Sequence, residues 1–411
     1  MEAIIVGVNY YKMAYDFEES MKELDALANA CHIQVKYTVV QTLDTINVAT
    51  YIGKGKVEEI KKLTDDVDLV IFNEELTSTQ VKNLSELLEI EVSDRTDLIL
   101  KIFESRAKTI EAKLQVKIAK LQYLLPRLVG LNENMIGQLG GSGFRGSGEK
   151  QIELDRRVIY RELVKAKREL KKIVVQRQTQ RLKRHENEVK VVALVGYTNS
   201  GKSSLMNYFV KRSHLNKQVF EKDMLFATLE TSTRKVRLDN HKPFLLSDTV
   251  GFINQLPHFL VQAFRSTLEE VKEADLILLV VDSSSPFYLE HIETTKKVLN
   301  ELEVNQNKVL YVYNKIDLNQ YALIKAEEPH VFISVKEEKN MDTLMKKINQ
   351  ILFKDDRIVD IVLPYDKMNV FSYLLENAYV HRYEYLETSI HVVVECSKTM
   401  AKYLQEYVCV N

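Results

Sequence analysis

Along residues 1–93, short apolar runs alternate with amphipathic stretches. Ala3 to Val8, Val35 to Val40 and Asp68 to Phe72 read as strands, and helices are predicted near 16–30, 55–63 and 77–89. That alternation is an α/β pattern. From Leu98 to Val129 the apolar positions Ile99, Phe103, Ile110, Leu114, Ile118, Leu121, Leu125 and Leu128 keep three-or-four spacing, which predicts one long helix. Ile152, Ile159, Leu163, Ala166, Leu170 and Ile173 continue that period to about residue 185, so two helices should pair as a hairpin. Between them, residues 130–148 hold seven of the thirteen glycines and are predicted to be irregular. Residues 190–357 alternate again, with strands at Val191 to Val195, Phe244 to Ser247, Leu276 to Val281, Val309 to Tyr313 and Val331 to Ile333, which predicts a mostly parallel sheet. In the last segment, strands are predicted at Ile358 to Leu363 and Ile390 to Cys396, with helices near 366–378 and 398–407.

The 411 residues therefore read as a multidomain α/β protein. An N-terminal α/β subdomain occupies 1–93 and a helical hairpin with its Gly-rich tip occupies 94–187, followed by a parallel-sheet domain at 188–357 and a small α+β domain at 358–411. A 45% hydrophobic and 28% charged composition argues against disorder and low-complexity architecture. The run Leu276 to Val281 has six residues, far short of a bilayer span, and the first residues lack a basic signal-peptide region. A cytoplasmic chain acting as a monomer is expected. Cys31, Cys396 and Cys409 lie far apart without metal-binding spacing and read as buried or incidental thiols.

A net charge of −1 conceals an asymmetry. Residues 101–185 carry 21 Lys or Arg against 8 Asp or Glu, whereas the remainder carries 36 against 50. Such a basic element points to a polyanionic partner, with RNA, DNA and an anionic membrane all open at this stage. A solvated charged helix is the plainer alternative.

The strand at Val191 to Val195 runs into Gly196, Tyr197, Thr198, Asn199, Ser200, Gly201, Lys202 and Ser203, a GxxxxGKS loop that opens a helix. Its backbone N–H groups can converge on phosphate, Lys202 can reach the β- and γ-phosphates, and Ser203 offers a hydroxyl to Mg²⁺. After Phe244 to Leu246 comes Asp248-Thr249-Val250-Gly251, a DxxG motif in which Asp248 would hold Mg²⁺ through water and the Gly251 N–H would sense the γ-phosphate. Asn314-Lys315-Ile316-Asp317 follows a strand and matches NKxD. Asp317 can accept from guanine N1–H and its exocyclic amine, whereas adenine would leave the carboxylate unpaired. Ser334-Val335-Lys336 sits where a short base-contacting loop is expected. Between the first two motifs, Phe226-Ala227-Thr228-Leu229-Glu230 carries the candidate switch threonine, Thr228, as the second Mg²⁺ ligand, with Thr231 and Thr233 as rivals. Lys202, Thr228 and Gly251 are thus the expected catalytic groups. Phe252 follows the DxxG glycine and cannot orient water, so hydrolysis by the free protein should be slow until a partner or another switch group completes the site.

Gly141-Ser142-Gly143-Phe144-Arg145-Gly146 fits GxGxxG but follows a helix, which removes the dinucleotide reading. HExxH and GxSxG are absent, so zinc-peptidase and elbow-serine chemistry lack support.

The guanine motifs, the basic hairpin and its tip together resemble the HflX family of ribosome-associated GTPases. The resemblance rests on the order of Thr50-Tyr51-Ile52-Gly53-Lys54-Gly55-Lys56, Asp94-Arg95-Thr96-Asp97-Leu98-Ile99-Leu100, Lys113-Leu114-Gln115-Val116 and Leu124-Leu125-Pro126-Arg127-Leu128, then Gly140 to Glu149 and Asp155-Arg156-Arg157. It implies binding of the large (50S) ribosomal subunit and its rRNA, dissociation of stalled 70S ribosomes in the GTP state, and hydrolysis stimulated by that subunit. The tip would approach the peptidyl-transferase region. Arg145, Lys150, Arg156 and Arg157 are the candidate RNA contacts, since flexible backbone and a basic stem suit entry into packed RNA. Here the tip reads Gly-Ser-Gly-Glu-Lys-Gln where the family has Gly-Pro-Gly-Glu-Thr-Gln, and Glu230-Thr231 stands for Asp-Pro. A GTPase of subunit assembly and a ribosome-occluding factor with a structural nucleotide site are the alternatives.

Overall fold

A computed structural model describes residues 1–10, 16–130, 145–186, 189–213, 232–237, 242–249, 251–253, 257–263, 270–305, 308–318 and 324–408. The chain divides into two compact units. One comprises Met1–Arg181, Asp223–Glu230 and Ile253–Thr267, and the other Leu182–Lys222, Thr231–Phe252 and Leu268–Asn411.

The first unit begins with a parallel sheet of β1 (Glu2–Tyr10), β2 (Gln34–Leu43), β3 (Leu69–Phe72) and β4 (Glu91–Asp94), in the order β2-β1-β3-β4. Helices α1 (Phe17–Ala30), α2 (Lys54–Lys61) and α3 (Ser78–Leu88) connect the strands. Every residue of β3 is buried, as parallel strands covered on both faces require. Strand β4 was absent from the hydrophobic pattern because Glu91-Val92-Ser93-Asp94 has one apolar residue, and its pairing with β3 makes it a strand.

The long helix predicted from residue 98 to 129 is instead two helices, α4 (Arg95–Arg106) and α5 (Ile110–Gly130). At Ala107 the backbone is extended (φ −66°, ψ 108°), and the Thr109 hydroxyl accepts from Ala112 N at 3.2 Å to cap α5. Phe103 and Ile110 lie seven residues apart, so the apolar period runs straight through this joint and hides it. Helix α6 (Arg145–Glu186) begins inside the segment predicted to be irregular. Gly146 and Gly148 fall in its first turn, whose N–H groups lack intrahelical acceptors. The rest of the tip, 131–144, lies outside the described residues. Leu114, Ile118 and Leu121 of α5 pack with Ile159, Leu163, Ala166 and Leu170 of α6, so the two helices pair.

Asp94 joins the sheet to this helical pair. Its buried carboxylate accepts from Asp97 N (2.9 Å), Leu76 N (3.1 Å), Tyr123 OH (2.9 Å) and Arg127 (2.8 Å). The Arg127 guanidinium also lies 3.4 Å over the Tyr123 ring and donates to Leu76 O. Burial pushes the Asp94 carboxyl up from its ordinary value, and Arg127 pulls it back. Beside it, Arg95 pairs with Glu23 and donates to Asn73 (3.1 Å), all three buried.

The second unit holds a six-stranded sheet of β5 (Val191–Val195), β6 (Ser232–Val236), β7 (Phe244–Asp248), β8 (Leu276–Asp282), β9 (Val309–Asn314) and β10 (His330–Phe332), in the order β10-β9-β8-β5-β7-β6. Only β6 runs antiparallel, and its polar sequence Ser-Thr-Arg-Lys-Val gave no strand pattern. Helix α7 (Lys202–Arg212) follows β5. After β7 the chain passes into the first unit, where α8 (His258–Ala263) sets Phe259 6.5 Å from the Tyr123 ring. Back in the second unit, α9 (Tyr288–Glu301) follows β8 and α10 (Met341–Leu352) follows β10. Leu194, Leu278, Val312, Phe209 and Leu344 belong to its core.

The last part folds as an antiparallel sheet of β11 (Arg357–Pro364), β12 (Tyr379–Tyr385) and β13 (Ser389–Cys396), in the order β11-β13-β12, with α11 (Met368–Asn377) and α12 (Lys398–Tyr403). Ile361, Leu374, Val392, Val394 and Leu404 form its core. Two cations, Arg237 just after β6 and Lys242 just before β7, reach it. Arg237 donates to the carbonyls of Leu375 and Glu376, while the buried Lys242 ammonium pairs with Asp356 (2.6 Å) and Glu395 (2.8 Å). Among the described residues, no helix is long and apolar enough to cross a membrane.

Removing Arg127 leaves a buried carboxylate uncompensated, so Arg127→Ala should cost about 3 kcal/mol of stability. Tyr123→Phe removes one hydrogen bond and should cost about 1 kcal/mol. Urea unfolding of the two variants measures the difference, and equal costs would count against Arg127 as the charge partner of Asp94.

Candidate nucleotide site

The phosphate loop forms because its backbone turns where side chains would collide. Gly196 has φ +145°, and a Cβ there would lie 2.2 Å from Val280 O. Gly201, at φ +97°, caps α7, and its Cβ would lie 2.1 Å from the Asn314 amide nitrogen. No side chain caps α7, so its first-turn N–H groups face the loop they follow.

Lys202 is buried and donates to Gly196 O (3.0 Å) and Tyr197 O (2.6 Å). Burial pushes its ammonium down to about 8. The Ser203 hydroxyl lies 3.1 Å from an Asp248 carboxylate oxygen, which brings the ends of β5 and β7 together. Thr249 donates to Leu194 O at 2.6 Å and fixes the DxxG backbone. Gly251 abuts the loop, since a Cβ would come within 3.0 Å of Thr198 and 3.1 Å of the Lys202 ammonium. Phe252 is buried, its N–H donates to Gly196 O at 3.1 Å, and its carbonyl accepts from Thr198 N at 2.7 Å.

The NKxD motif is tied to the same loop. Asn314 donates to Ser200 O (3.0 Å) and accepts from Val335 N (3.1 Å). The Ser334 hydroxyl donates to Asp317 at 2.6 Å, and Lys315 pairs with Asp282 at 2.7 Å. Ile316 N bonds Ile333 O, and Lys336 is exposed beside Val335. Asn199 is exposed at φ 59°.

These contacts bring together Gly196 to Ser203, Asp248, Thr249, Gly251, the Asn314 to Asp317 motif and Ser334 to Lys336. Phe226, Ala227, Thr228, Leu229, Glu230, Val250 and the rival Thr231 lie outside the described residues. The other rival, Thr233, directs its hydroxyl to Ser247 and Glu270, 3.4 Å from each. Arg156 and Arg157 are exposed on α6, with Arg157 paired to Glu153, and the side chains of Arg145 and Lys150 lie outside the described residues.

Two participants were missed in the sequence. Asp282 ends the otherwise apolar β8, and an acid at the carboxyl end of a parallel strand was the available signal. His291 of α9 stacks on the Tyr197 ring at 3.8 Å, a contact between distant segments that no local pattern announces. Burial pushes the His291 imidazole down to about 4, and its Nε2 is buried without a hydrogen-bond partner.

Comparison with known proteins places these residues in a family context. Residues 18–104 match a family described as GTP-binding GTPase N-terminal, 106–184 one described as GTP-binding GTPase middle region, and 191–315 one described as 50S ribosome-binding GTPase. The chain is 41% identical over 393 residues to a GTPase HflX of Caldanaerobacter subterraneus subsp. tengcongensis, covering 95% of this chain and 90% of that one. A GTPase HflX of Alkalihalophilus pseudofirmus is 41% identical over 395 residues, covering 95% and 92%. Among solved structures, the chain is similar to a GTP-binding protein from Sulfolobus solfataricus in complex with GDP at 24% identity and a TM-score of 0.46, covering 86% of this chain and 99% of that chain.

Phosphate favours the charged form of Lys202, so nucleotide binding above pH 8 must take up a proton. GDP affinity should be flat below pH 7 and should fall by up to about tenfold per unit above pH 8. Calorimetric titration across pH 7 to 9 in buffers of different ionisation heat tests this, and pH-independent binding without proton uptake would refute it. For His291, whose folded value is depressed, the unfolded chain gains a proton first as pH falls, so stability drops between about pH 6.5 and 4, by roughly 3 kcal/mol. His291→Phe keeps the ring stack and should unfold at lower pH than the parent in an acid titration followed by circular dichroism.

Proposed function

The chain belongs to the HflX family of GTPases, and we propose that it binds the large ribosomal subunit through rRNA, dissociates stalled or inactive 70S ribosomes in its GTP state, and hydrolyses GTP to GDP and phosphate when stimulated by that subunit. The observation that carries this reading is the joining of a guanine-nucleotide site to a helical pair with a charge of +13 over residues 101–185. The family matched by residues 191–315 is described as ribosome-binding, which supports the choice of partner.

In this reading the loop N–H groups and Lys202 hold the β- and γ-phosphates, and Asn314 and Asp317 select guanine. Lys202 exchanges its loop carbonyls for phosphate oxygens. Ser203 and Asp248 place a hydroxyl and a carboxylate 3.1 Å apart, a hard-oxygen pair that fits Mg²⁺, with Asp248 acting through water and Thr228 as the further ligand. When bound, magnesium neutralises phosphate charge and aligns the reacting oxygens. Gly251 would report the γ-phosphate, because any side chain there would meet Thr198 and the Lys202 ammonium. Phe252 has its backbone bridged to the phosphate loop and its ring buried, so it supplies no group to orient water. That arrangement supports slow turnover by the free protein and completion of the site by the ribosome.

GTP turnover measured with 50S subunits, with 70S ribosomes and with neither should rise on adding ribosomes. Sedimentation with a non-hydrolysable GTP analogue should show loss of 70S particles, and Lys202→Ala should abolish both effects. Stimulation without 70S loss would favour subunit assembly, and no ribosome response would remove the ribosomal reading while leaving the GTPase.

A further inference from the structure

The small C-terminal sheet ends on a strand with a free edge. In the order β11-β13-β12, the outer side of β11 is met by Val408, which bridges Ile361. Strand β12 pairs with β13, and among the described residues no strand lies against its other edge. Exposed edges are commonly blunted by Pro, Lys or a bulge. Here the register shift between Val380 and Arg382 guards only the first half of β12. Arg382, Tyr383, Glu384 and Tyr385 continue as regular strand, all of them exposed and none of them Pro or Lys. Strand alternation decides what they present. Tyr383 and Tyr385 oppose the buried Val392 and Ile390, so they lie on the core face, 51% and 59% exposed. The Tyr383 ring lies 5.3 Å from Phe371 and 5.8 Å from Tyr385. Arg382 and Glu384 oppose Val393 and His391 on the other face. The acids beside them, Glu395 and Asp360, are taken by His381 and His391, and among the described residues neither Arg382 nor Glu384 is ion-paired.

We propose that β12 docks antiparallel on β12 of a second copy of this chain, with Tyr383 on the two-fold axis, so that two three-stranded sheets become one continuous sheet. A two-fold axis normal to the sheet keeps each face continuous, and a residue can then oppose only a residue of its own face. Charge selects among the registers that remain. Centring on Arg382 sets that arginine against its own copy, and centring on Glu384 does the same with the acid, whereas like charges directly opposite are destabilising. Centring on Tyr385 carries the pairing out of the strand. Centring on Tyr383 sets each Arg382 against the other copy's Glu384, twice over, and brings the two Tyr383 rings together. The edge is thus self-complementary, which favours a second copy over an unrelated strand. With only Arg382 to Tyr385 regular on each side, the interface is far below standard size, and its dissociation constant should be on the order of tens of micromolar. The monomer expected from the sequence is then the dilute state. The proposal does not rest on the ribosomal reading.

Sedimentation velocity of the full chain at low salt, over about 1 to 300 μM, follows the equilibrium between monomer and dimer. Arg382→Glu places acid against acid and Glu384→Arg places cation against cation, so each variant alone should associate at least about tenfold more weakly than the parent. Mixing the two variants in equal amounts restores both opposite-charge pairs, and the mixture should recover the parental dimer. The chain carrying both changes should self-associate as the parent does, because the charges are exchanged rather than lost. Each variant should melt as the parent does and keep its ribosome-free GTP turnover, which shows that it is folded. A parent that stays monomeric across the range overturns the proposal, and if Arg382→Glu then lowers affinity for 50S subunits, a ribosomal protein covers the edge instead. A parental dimer that is indifferent to both single variants uses another surface and overturns it as well. Folded single variants that fail to combine with each other overturn the register centred on Tyr383, and the proposal with it.

Discussion

The carboxamide of Asn314 is the contact on which the nucleotide site depends. It sits at the end of β9, donates to the carbonyl of Ser200 and accepts from the N–H of Val335, so one side chain fixes the phosphate loop and the base-side loop together. Gly201 makes this possible, since a methyl group there would strike the amide. Ser283 completes the joint by donating from both its N–H and its hydroxyl to the Asn314 carbonyl. The phosphate loop and the Ser334 loop are therefore joined through one side chain, at the carboxyl ends of parallel strands where α/β sheets gather such loops.

The legible parts of the chain were those in which chemistry imposes spacing. The loop from Gly196 to Ser203, the DxxG from Asp248 and the NKxD from Asn314 each follow an apolar strand, so sequence alone places them at one edge of a sheet. The α/β class followed from the same alternation. What escaped was structure supplied by neighbours. β4 and β6 carry little apolar signal and exist through pairing with β3 and β7, and β12, whose register shifts between Val380 and Arg382, has no clean alternation. The cap at Thr109 was hidden by an apolar period that continues across it, and the Tyr197–His291 stack joins segments nearly a hundred residues apart.

Some of the residues that carried the family resemblance have structural work visible in the fold. Asp94 ends β4, caps α4 and accepts from Tyr123 and Arg127 of α5. Its buried charge is tolerated because four donors surround it, and this makes the orientation of α5 against the sheet specific. A basic helical pair is useful only if it is held at a defined angle to its own sheet. The acid–arginine–tyrosine cluster supplies that definition where apolar packing alone would allow sliding.

The strand pair β6–β7 ends in Asp248 at the nucleotide edge, and at its opposite end Arg237 and Lys242 grip the small C-terminal sheet. It is thereby loaded at both extremities, like a beam with a bearing at each end. A displacement of β6 along β7 has to break the Lys242 carboxylate contacts or carry β13 and α11 with it. The small sheet is thereby tethered to that strand pair, so residues 358–411 are mechanically coupled to the DxxG strand although they contribute no group to the candidate site.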